Sequence, residues 1–284
     1  MPRTTTTDAF ARTGAQLQGT ARTALHSPWV ERLARLGFAA RGIVYALVGI
    51  LAVQTALGGR RHATDTHGAL REIASKSEAL IWLVALGLFG YALWRLVQGI
   101  ADPERKGNDP KGLAHRAGMI GIGVIYGGLA WAAAKMALGA GDSGGGSQAQ
   151  WTAKLMAAPL GRWLVAAVGI GIMIAGGAQI WRGWTEKFRK HLKLQEMDPS
   201  EQSLAIHTGK AGMIARGIVF LLSGWFVLQA ALRFDPSQAR GLSGALDTLS
   251  RQPHGQALLG LVAVGLICFG AYSILLARYR RIVY

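Results

Sequence analysis

The chain has 284 residues, of which 51% are hydrophobic and only 16% are charged, whereas a soluble domain carries about 25% charged residues. This composition excludes a soluble enzyme. The 31 Lys and Arg against 15 Asp and Glu leave a net charge of +16, which in a membrane protein reflects topology and anionic lipid as readily as nucleic acid. No nucleic-acid recognition motif accompanies the charge, so no such partner is predicted. The single cysteine, Cys268, excludes an internal disulfide.

Residues 1–32 are predicted to form a cytoplasmic tail. The segment is rich in Thr, Ala and Arg and contains no apolar run, so no cleaved signal peptide is expected. A disordered tail is favoured. The alternatives are a helix on the membrane surface, with Phe10, Leu17 and Leu25 on one face, and an Arg-rich transit peptide.

Six apolar stretches follow, each long enough to cross a bilayer as a helix. The predicted spans are 36–57, 79–101, 115–138, 160–184, 211–232 and 256–277. All eight prolines and all fifteen carboxylates lie outside these ranges. This agreement supports the boundaries, because proline breaks a helix and a carboxylate is costly in hydrocarbon.

The loops set the predicted orientation. Eighteen Lys and Arg lie near the side that holds both chain ends, and nine lie near the opposite side. The positive-inside rule therefore places both termini in the cytoplasm.

On the opposite side, Gly141-Asp142-Ser143-Gly144-Gly145 matches the nucleophile sequence of chymotrypsin-like proteases, but it continues as Gly146-Ser147 and is predicted to be a flexible linker.

The odd-numbered spans are copies of one sequence. They read LGFAARGIVYALVGILAVQTAL from Leu36, AGMIGIGVIYGGLAWAAAKMAL from Ala117 and AGMIARGIVFLLSGWFVLQAAL from Ala211. The even spans repeat more weakly, through paired glycines. The chain therefore divides into the tail at 1–32, repeats at 33–104 and 105–190, a cytoplasmic linker at 191–210, and a third repeat with a short basic C-terminus at 211–284.

This triplicated unit of two membrane helices opens with Gly37-x-x-x-Arg41-Gly42-x-x-Tyr45. It resembles the bacterial domain-of-unknown-function family 1206, over roughly residues 33–280. The resemblance implies a six-helix inner-membrane protein and supplies no catalytic residue. The second copy departs from the pattern, with Ile122 in place of the arginine. Mitochondrial carriers share the three-times-two plan, but their Pro-x-acid-x-x-base signature is missing, which excludes that family.

The predicted fold is all-α, a polytopic membrane protein of six transmembrane helices arranged as three tandem hairpins with pseudo-threefold symmetry. Glycines let membrane helices approach closely. The predicted packing positions are Gly37, Gly42, Gly118, Gly123, Gly212 and Gly217.

Basic residues within or beside the spans need a reason, because arginine costs about 2.5–3.5 kcal/mol at mid-membrane. One explanation is that they snorkel to anionic lipid. The other is that they line an anion-attracting cavity in tiers. The candidate anion- or lipid-contacting residues are Arg35, Arg41, Arg116, Lys210 and Arg216, and the candidate polar tier of a cavity comprises Gln54, Lys135 and Gln229. Arg95 and Lys135 are predicted to snorkel.

These features predict a non-enzymatic structural or accessory protein of the bacterial inner membrane. Its expected partners are the lipid bilayer, anionic phospholipids, and a protein partner or a second copy of the chain. The alternative is a channel or transporter for a small anionic or neutral solute. No catalytic residue, metal site or cofactor is expected: the spans hold no Asp or Glu for proton coupling and lack axial histidines for haem.

Overall fold

A computed structural model describes residues 28–59, 63–102, 107, 109–140 and 148–280. In this part of the chain there are nine α-helices and no β-strand. The helices are α1 (Pro28–Ala56), α2 (Thr66–Lys76), α3 (Glu78–Ala101), α4 (Pro110–Ala137), α5 (Gln148–Met156), α6 (Gly161–Trp184), α7 (Pro199–Arg233), α8 (Leu242–Ser250) and α9 (Gly255–Tyr279). The tail before residue 28 and the Gly141–Gly145 motif lie outside the described residues.

Six of these helices, α1, α3, α4, α6, α7 and α9, are long and apolar enough to cross a membrane. The prediction of an all-α chain with six spans is therefore confirmed. The odd spans begin earlier than predicted, as α7 shows by starting at Pro199 rather than at 211. Asp198 and Glu201 form a capping box ahead of the apolar stretch, and proline suits the first helical turn. The predicted 191–210 linker is thus helical over its second half.

Each repeat also contains a short helix between its two spans, which hydropathy alone does not reveal. These are α2, α5 and α8, with 11, 9 and 9 residues. Asp65 caps α2 by accepting a hydrogen bond from the Gly68 amide at 2.9 Å. The amide of Ala63 donates to Asp247 in α8 at 2.9 Å, which joins the first repeat to the third at the end of the bundle that we call the short-helix side.

The spans form a ring that is open at one place. Each even span packs closely on the odd span of the next repeat: α3 on α4, α6 on α7, and α9 back on α1. Within repeats, α1 packs on α3 and α7 on α9. The described parts of α4 and α6, the two spans of the second repeat, barely touch each other. The tandem-repeat prediction is confirmed, and the second hairpin differs from the other two.

The opposite end of the bundle, the linker side, is closed by packed side chains rather than by a solvated loop. Phe188, Leu192 and Met197, from the connection between α6 and α7, are all buried. The amide of Lys193 donates to the carbonyl of Tyr279 at 2.9 Å. The connection is therefore fixed to the end of α9 as part of the fold.

Candidate functional site

Three of the predicted basic residues, Arg35, Arg116 and Lys210, occupy equivalent positions in the three repeats and form one column at the linker side. This column holds neighbouring helices together. Arg35 donates to the carbonyl of Ala277 at 2.9 Å, at the end of α9. Arg116 donates to the carbonyls of Gly99 and Ile100 at 2.8 and 3.0 Å, at the end of α3. A cation at a helix C-terminus satisfies unpaired carbonyls and opposes the negative end of the helix dipole.

Lys210 occupies the third position of the same column. Its ammonium group lies 3.6 Å from the carboxylate of Glu186, just beyond the end of α6, and 5.5 Å from the ring centre of Trp184. All three residues of the column therefore have partners inside the chain.

Arg41 lies inside the bundle, with only 6% of the residue exposed. Its guanidinium donates to the hydroxyl of Tyr91, and to the hydroxyl of Ser273 at 3.1 Å. Its Cζ lies 4.9 Å from the ring centres of both Tyr91 and Phe269. Arg41 thus joins α1 to α3 and α9 and faces the protein interior instead of the lipid headgroups.

Arg95 also turns inward, toward the same tyrosine. It donates to the hydroxyl of Tyr91 at 2.6 and 2.9 Å and to the side-chain oxygen of Gln98 at 3.0 Å. The nitrogen that donates to Gln98, Nη1, also lies 3.1 Å from the sulfur of Met119 on α4. Two guanidiniums therefore share the hydroxyl of Tyr91.

Arg216 is the third inward guanidinium. It donates to the hydroxyl of Tyr45 at 2.9 Å and to the side-chain oxygen of Gln179 on α6 at 2.7 Å. Its Cζ lies 4.9 Å from the ring centre of Phe269, the ring that Arg41 also contacts. Arg41, Arg95 and Arg216, connected through Tyr91 and Phe269, form one assembly that we call the cationic cluster.

Aromatic rings build the frame of the cationic cluster. Tyr45 and Phe269 meet edge to face at 4.9 Å, and Tyr91 and Tyr126 meet at 4.6 Å. Rings of this kind stabilise a guanidinium through cation–π contact. The rings supply no carboxylate to pair with the guanidiniums.

Among the described residues, no carboxylate contacts the three arginines of the cationic cluster. No Asp or Glu occurs between residues 32 and 64, 79 and 101, or 202 and 234, the stretches that hold the three arginines. The Nε of Arg41 is buried and donates to no acceptor in the described part of the chain. The indole N–H of Trp94, one turn beyond Tyr91 on α3, is likewise buried without an acceptor. Buried donors of this kind favour an acceptor from a ligand.

This chemistry suits a phosphate-like or carboxylate-like anion. Guanidiniums bind such groups through paired, charge-assisted hydrogen bonds. An ionisable group inside a membrane protein indicates a functional site by default.

The predicted polar tier lies elsewhere, toward the short-helix side. Gln54 is exposed, whereas Lys135 and Gln229 are half-buried. The cationic cluster does not include these residues.

Five of the six predicted packing glycines lie against a neighbouring helix. A methyl group at Gly42 or Gly217 would lie 2.8 Å from the carbonyl oxygen of Gly270 or Gly176, and one at Gly123 would lie 2.8 Å from Leu96. Methyl groups at Gly37 and Gly212 would lie within 2.6 Å of Tyr91 and Phe269. Gly118 departs from the prediction, since a methyl group there would meet nothing within 4 Å.

Of the five residues that form the cationic cluster, sequence reasoning singled out only Arg41 and Arg216 as candidate anion-contacting residues. Arg95 was expected to snorkel, and Tyr91, Gln179 and Ser273 were not singled out. The spacing of Tyr91 and Arg95, four residues apart on one helix face, is the signal that could have connected them.

Six membrane-length helices in three tandem units of long, short and long helix define a multi-pass membrane protein built from a triplicated repeat. The pattern described as Domain of Unknown Function (DUF1206) matches three times, at residues 36–102, 117–186 and 211–280. The chain belongs to this family.

A relative in Bacillus subtilis (strain 168), Uncharacterized protein YxxB, is 36% identical over 259 residues, which cover 90% of this chain and 94% of the relative. No solved structure matches the chain.

Proposed function

We propose that this chain is a non-enzymatic accessory protein of the bacterial inner membrane that binds an anionic group at the cationic cluster. The observation that supports this most directly is three guanidiniums turned into an apolar bundle, on stretches of helix that contain no carboxylate. Burying unpaired charge is costly, so a bound anion gives the cluster a physical reason to exist.

The loop charges support a cytoplasmic position for the proposed site. The cluster lies in the half of the bundle nearer the linker side, because Arg95 lies six residues before the end of α3 and Ser273, which accepts from Arg41, lies six residues before the end of α9. The excess of Lys and Arg favours the cytoplasm for that side. Anionic lipids, which are attracted to such juxtamembrane basic segments, are the ligands that we favour.

The test compares the wild-type protein with Arg41→Gln/Arg216→Gln. The ligand is phosphatidylglycerol, with phosphatidylcholine as the zwitterionic control, and thermal unfolding in detergent is the readout. We expect phosphatidylglycerol to raise the Tm of the wild type and to raise that of the variant far less, because a ligand stabilises only the state that binds it.

Arg240→Gln provides a matched control. Arg240 is exposed at the short-helix side, 5.9 Å from the ring centre of Phe226. This variant should keep the full lipid-dependent shift. Equal shifts in the wild type and the cluster variant, with both proteins folded, would contradict the proposal.

The alternative function is a channel or transporter for a small anion. It shares the same three guanidiniums and is separated by a flux assay in liposomes. Chloride or phosphate flux that is lost in Arg41→Gln/Arg216→Gln would favour permeation, whereas binding without flux favours the accessory role.

A further inference from the structure

The second hairpin differs from its two counterparts at equivalent positions. On the odd spans, Gly37 and Gly212 pack on Tyr91 and Phe269. Between repeats, Gly42 packs on Gly270, Gly123 on Ala92 and Gly217 on Gly176. Gly270, Ala92 and Gly176 therefore occupy equivalent positions on the even spans. The residues just before these three are Phe269, Tyr91 and Ala175, so an alanine replaces the aromatic ring in the second repeat.

The next contact along the hairpin shows the same difference. Gly87 packs on Ala40 in the first repeat and Gly265 on Ala215 in the third. Their counterparts in the second repeat are Gly171 and Gly121. A methyl group at either of these glycines would meet nothing within 4 Å. The opening between α4 and α6, bordered by Gly118, Gly121, Gly171 and Ala175, is called here the α4–α6 gap.

The two helices that border the α4–α6 gap contact the cationic cluster. Arg95 contacts Met119, the neighbour of Gly118 on α4. Arg216 donates to Gln179, one turn beyond Ala175 on α6. Arg95 and Arg216 therefore contact the two helices that border the gap, and both are less buried than Arg41.

The surface around the gap is apolar. Exposed large hydrophobic residues lie on both bordering helices, including Val124 and Ile125 on α4 and Ile170 and Ile174 on α6. A ligand that reaches the arginines by this path meets hydrocarbon-like surface first and positive charge last. That order matches a molecule with acyl chains and an anionic head.

We propose that the α4–α6 gap admits one anionic phospholipid from the bilayer, whose phosphate binds Arg95 and Arg216 while an acyl chain lies along the glycine faces of α4 and α6. This inference rests on the proposed function and specifies its ligand class and its route of access. Charge complementarity selects the anionic lipid, because no carboxylate in the described part of the chain pairs with the guanidiniums of the cluster.

Gly121→Leu and Gly171→Leu test the inference, because both side chains would project into the gap. Gly177→Leu is the matched control: its position on α6 is also open but lies about 120° or more around the helix from Gly171 and Ala175. Each protein is reconstituted with phosphatidylglycerol and phosphatidylcholine and extracted into detergent. Native mass spectrometry then counts the retained lipids.

We expect the wild type and Gly177→Leu to retain one phosphatidylglycerol, and both gap variants to bind it at least about tenfold more weakly, which corresponds to about 1.4 kcal/mol. Full retention by the gap variants would overturn the lateral route. If Arg41→Gln/Arg216→Gln loses the lipid in the same experiment, the anion site itself still stands.

A titration with inorganic phosphate separates the two possible sources of the anion. Phosphate that binds the wild type and the gap variants equally, with no retained phospholipid in any of them, would overturn the lipid as ligand. Lipid retention by the arginine variant would instead contradict the proposed function.

Discussion

Arg116 lies near the start of α4, yet its side chain caps the end of α3. Arg35 does the same for α9 from the start of α1. One turn or more deeper, Arg41 and Arg216 turn to tyrosines instead of carbonyls. Depth in the bundle therefore decides whether an arginine of this repeat holds a helix end or contributes to the cationic cluster.

Arg116→Met should destabilise the protein by about 1–2 kcal/mol, because it removes charge-assisted hydrogen bonds to two carbonyls and the favourable interaction with the helix dipole. Thermal unfolding in detergent measures the change. Lys111→Met, an exposed cation in the first turn of the same helix, is the control and should change the Tm little. Equal effects of the two substitutions would show that the carbonyl contacts contribute nothing.

At the scale of elements, three copies of one hairpin give two closed pairs and one open pair. The closed hairpins each pair an arginine on the odd span with an aromatic ring on the even span: Arg41 with Tyr91, and Arg216 with Phe269. The second hairpin has Ile122 and Ala175 at these positions. The second hairpin therefore lacks the cation–π pair that joins the two spans in each of the other hairpins.

Alanine substitutions at the equivalent positions Gly37, Gly118 and Gly212 test this difference between the hairpins. Gly37→Ala and Gly212→Ala should each destabilise the protein by about 1–3 kcal/mol, since the new methyl group overlaps Tyr91 or Phe269. Gly118→Ala should be neutral or stabilising by up to about 1 kcal/mol, because alanine favours a helix and the site is open.

Unfolding of the three purified variants is compared under one detergent condition. A loss of stability at Gly118 as large as at Gly37 would mean that the second hairpin closes like the others.

At the scale of the whole molecule, the first and last spans close most of the ring. Gly42 and Gly49 on α1 lie against Gly270 and Ala263 on α9, and Arg35 caps the same helix. The third repeat therefore completes the packing of the first, and the only loosely packed ring neighbours among the described helices are the two spans of the middle repeat.

The orientation predicted from the loop charges implies which loops are reachable from outside the cell. In a Cys268→Ser background, Gln252→Cys on the short-helix side should react with a membrane-impermeant maleimide on intact bacterial cells. Lys190→Cys on the linker side should react only after permeabilisation. Both positions are exposed, so differing reactivity reports sidedness, and the reverse pattern would contradict cytoplasmic termini.

Much of the architecture could be predicted from residues alone. Uncharged apolar runs located the six spans, and repeated columns such as Gly42, Gly123 and Gly217 located the equivalent packing positions. The short helices α2, α5 and α8 were missed because 9 to 11 amphipathic residues resemble loop. Likewise, a span boundary set by hydropathy cannot detect the polar first turns of α7, which its capping box begins.

The sequence by itself determined a membrane protein of three tandem units, because the bilayer requires long uncharged helices and duplication leaves equivalent residues at fixed spacings. Only the tertiary structure decided which way the arginines turn. A guanidinium on a flexible stem reaches either headgroup or interior from the same position. The packing of α1, α3, α7 and α9 directs Arg41, Arg95 and Arg216 inward, while α4 and α6, which have Ala175 in place of the aromatic ring, lie apart.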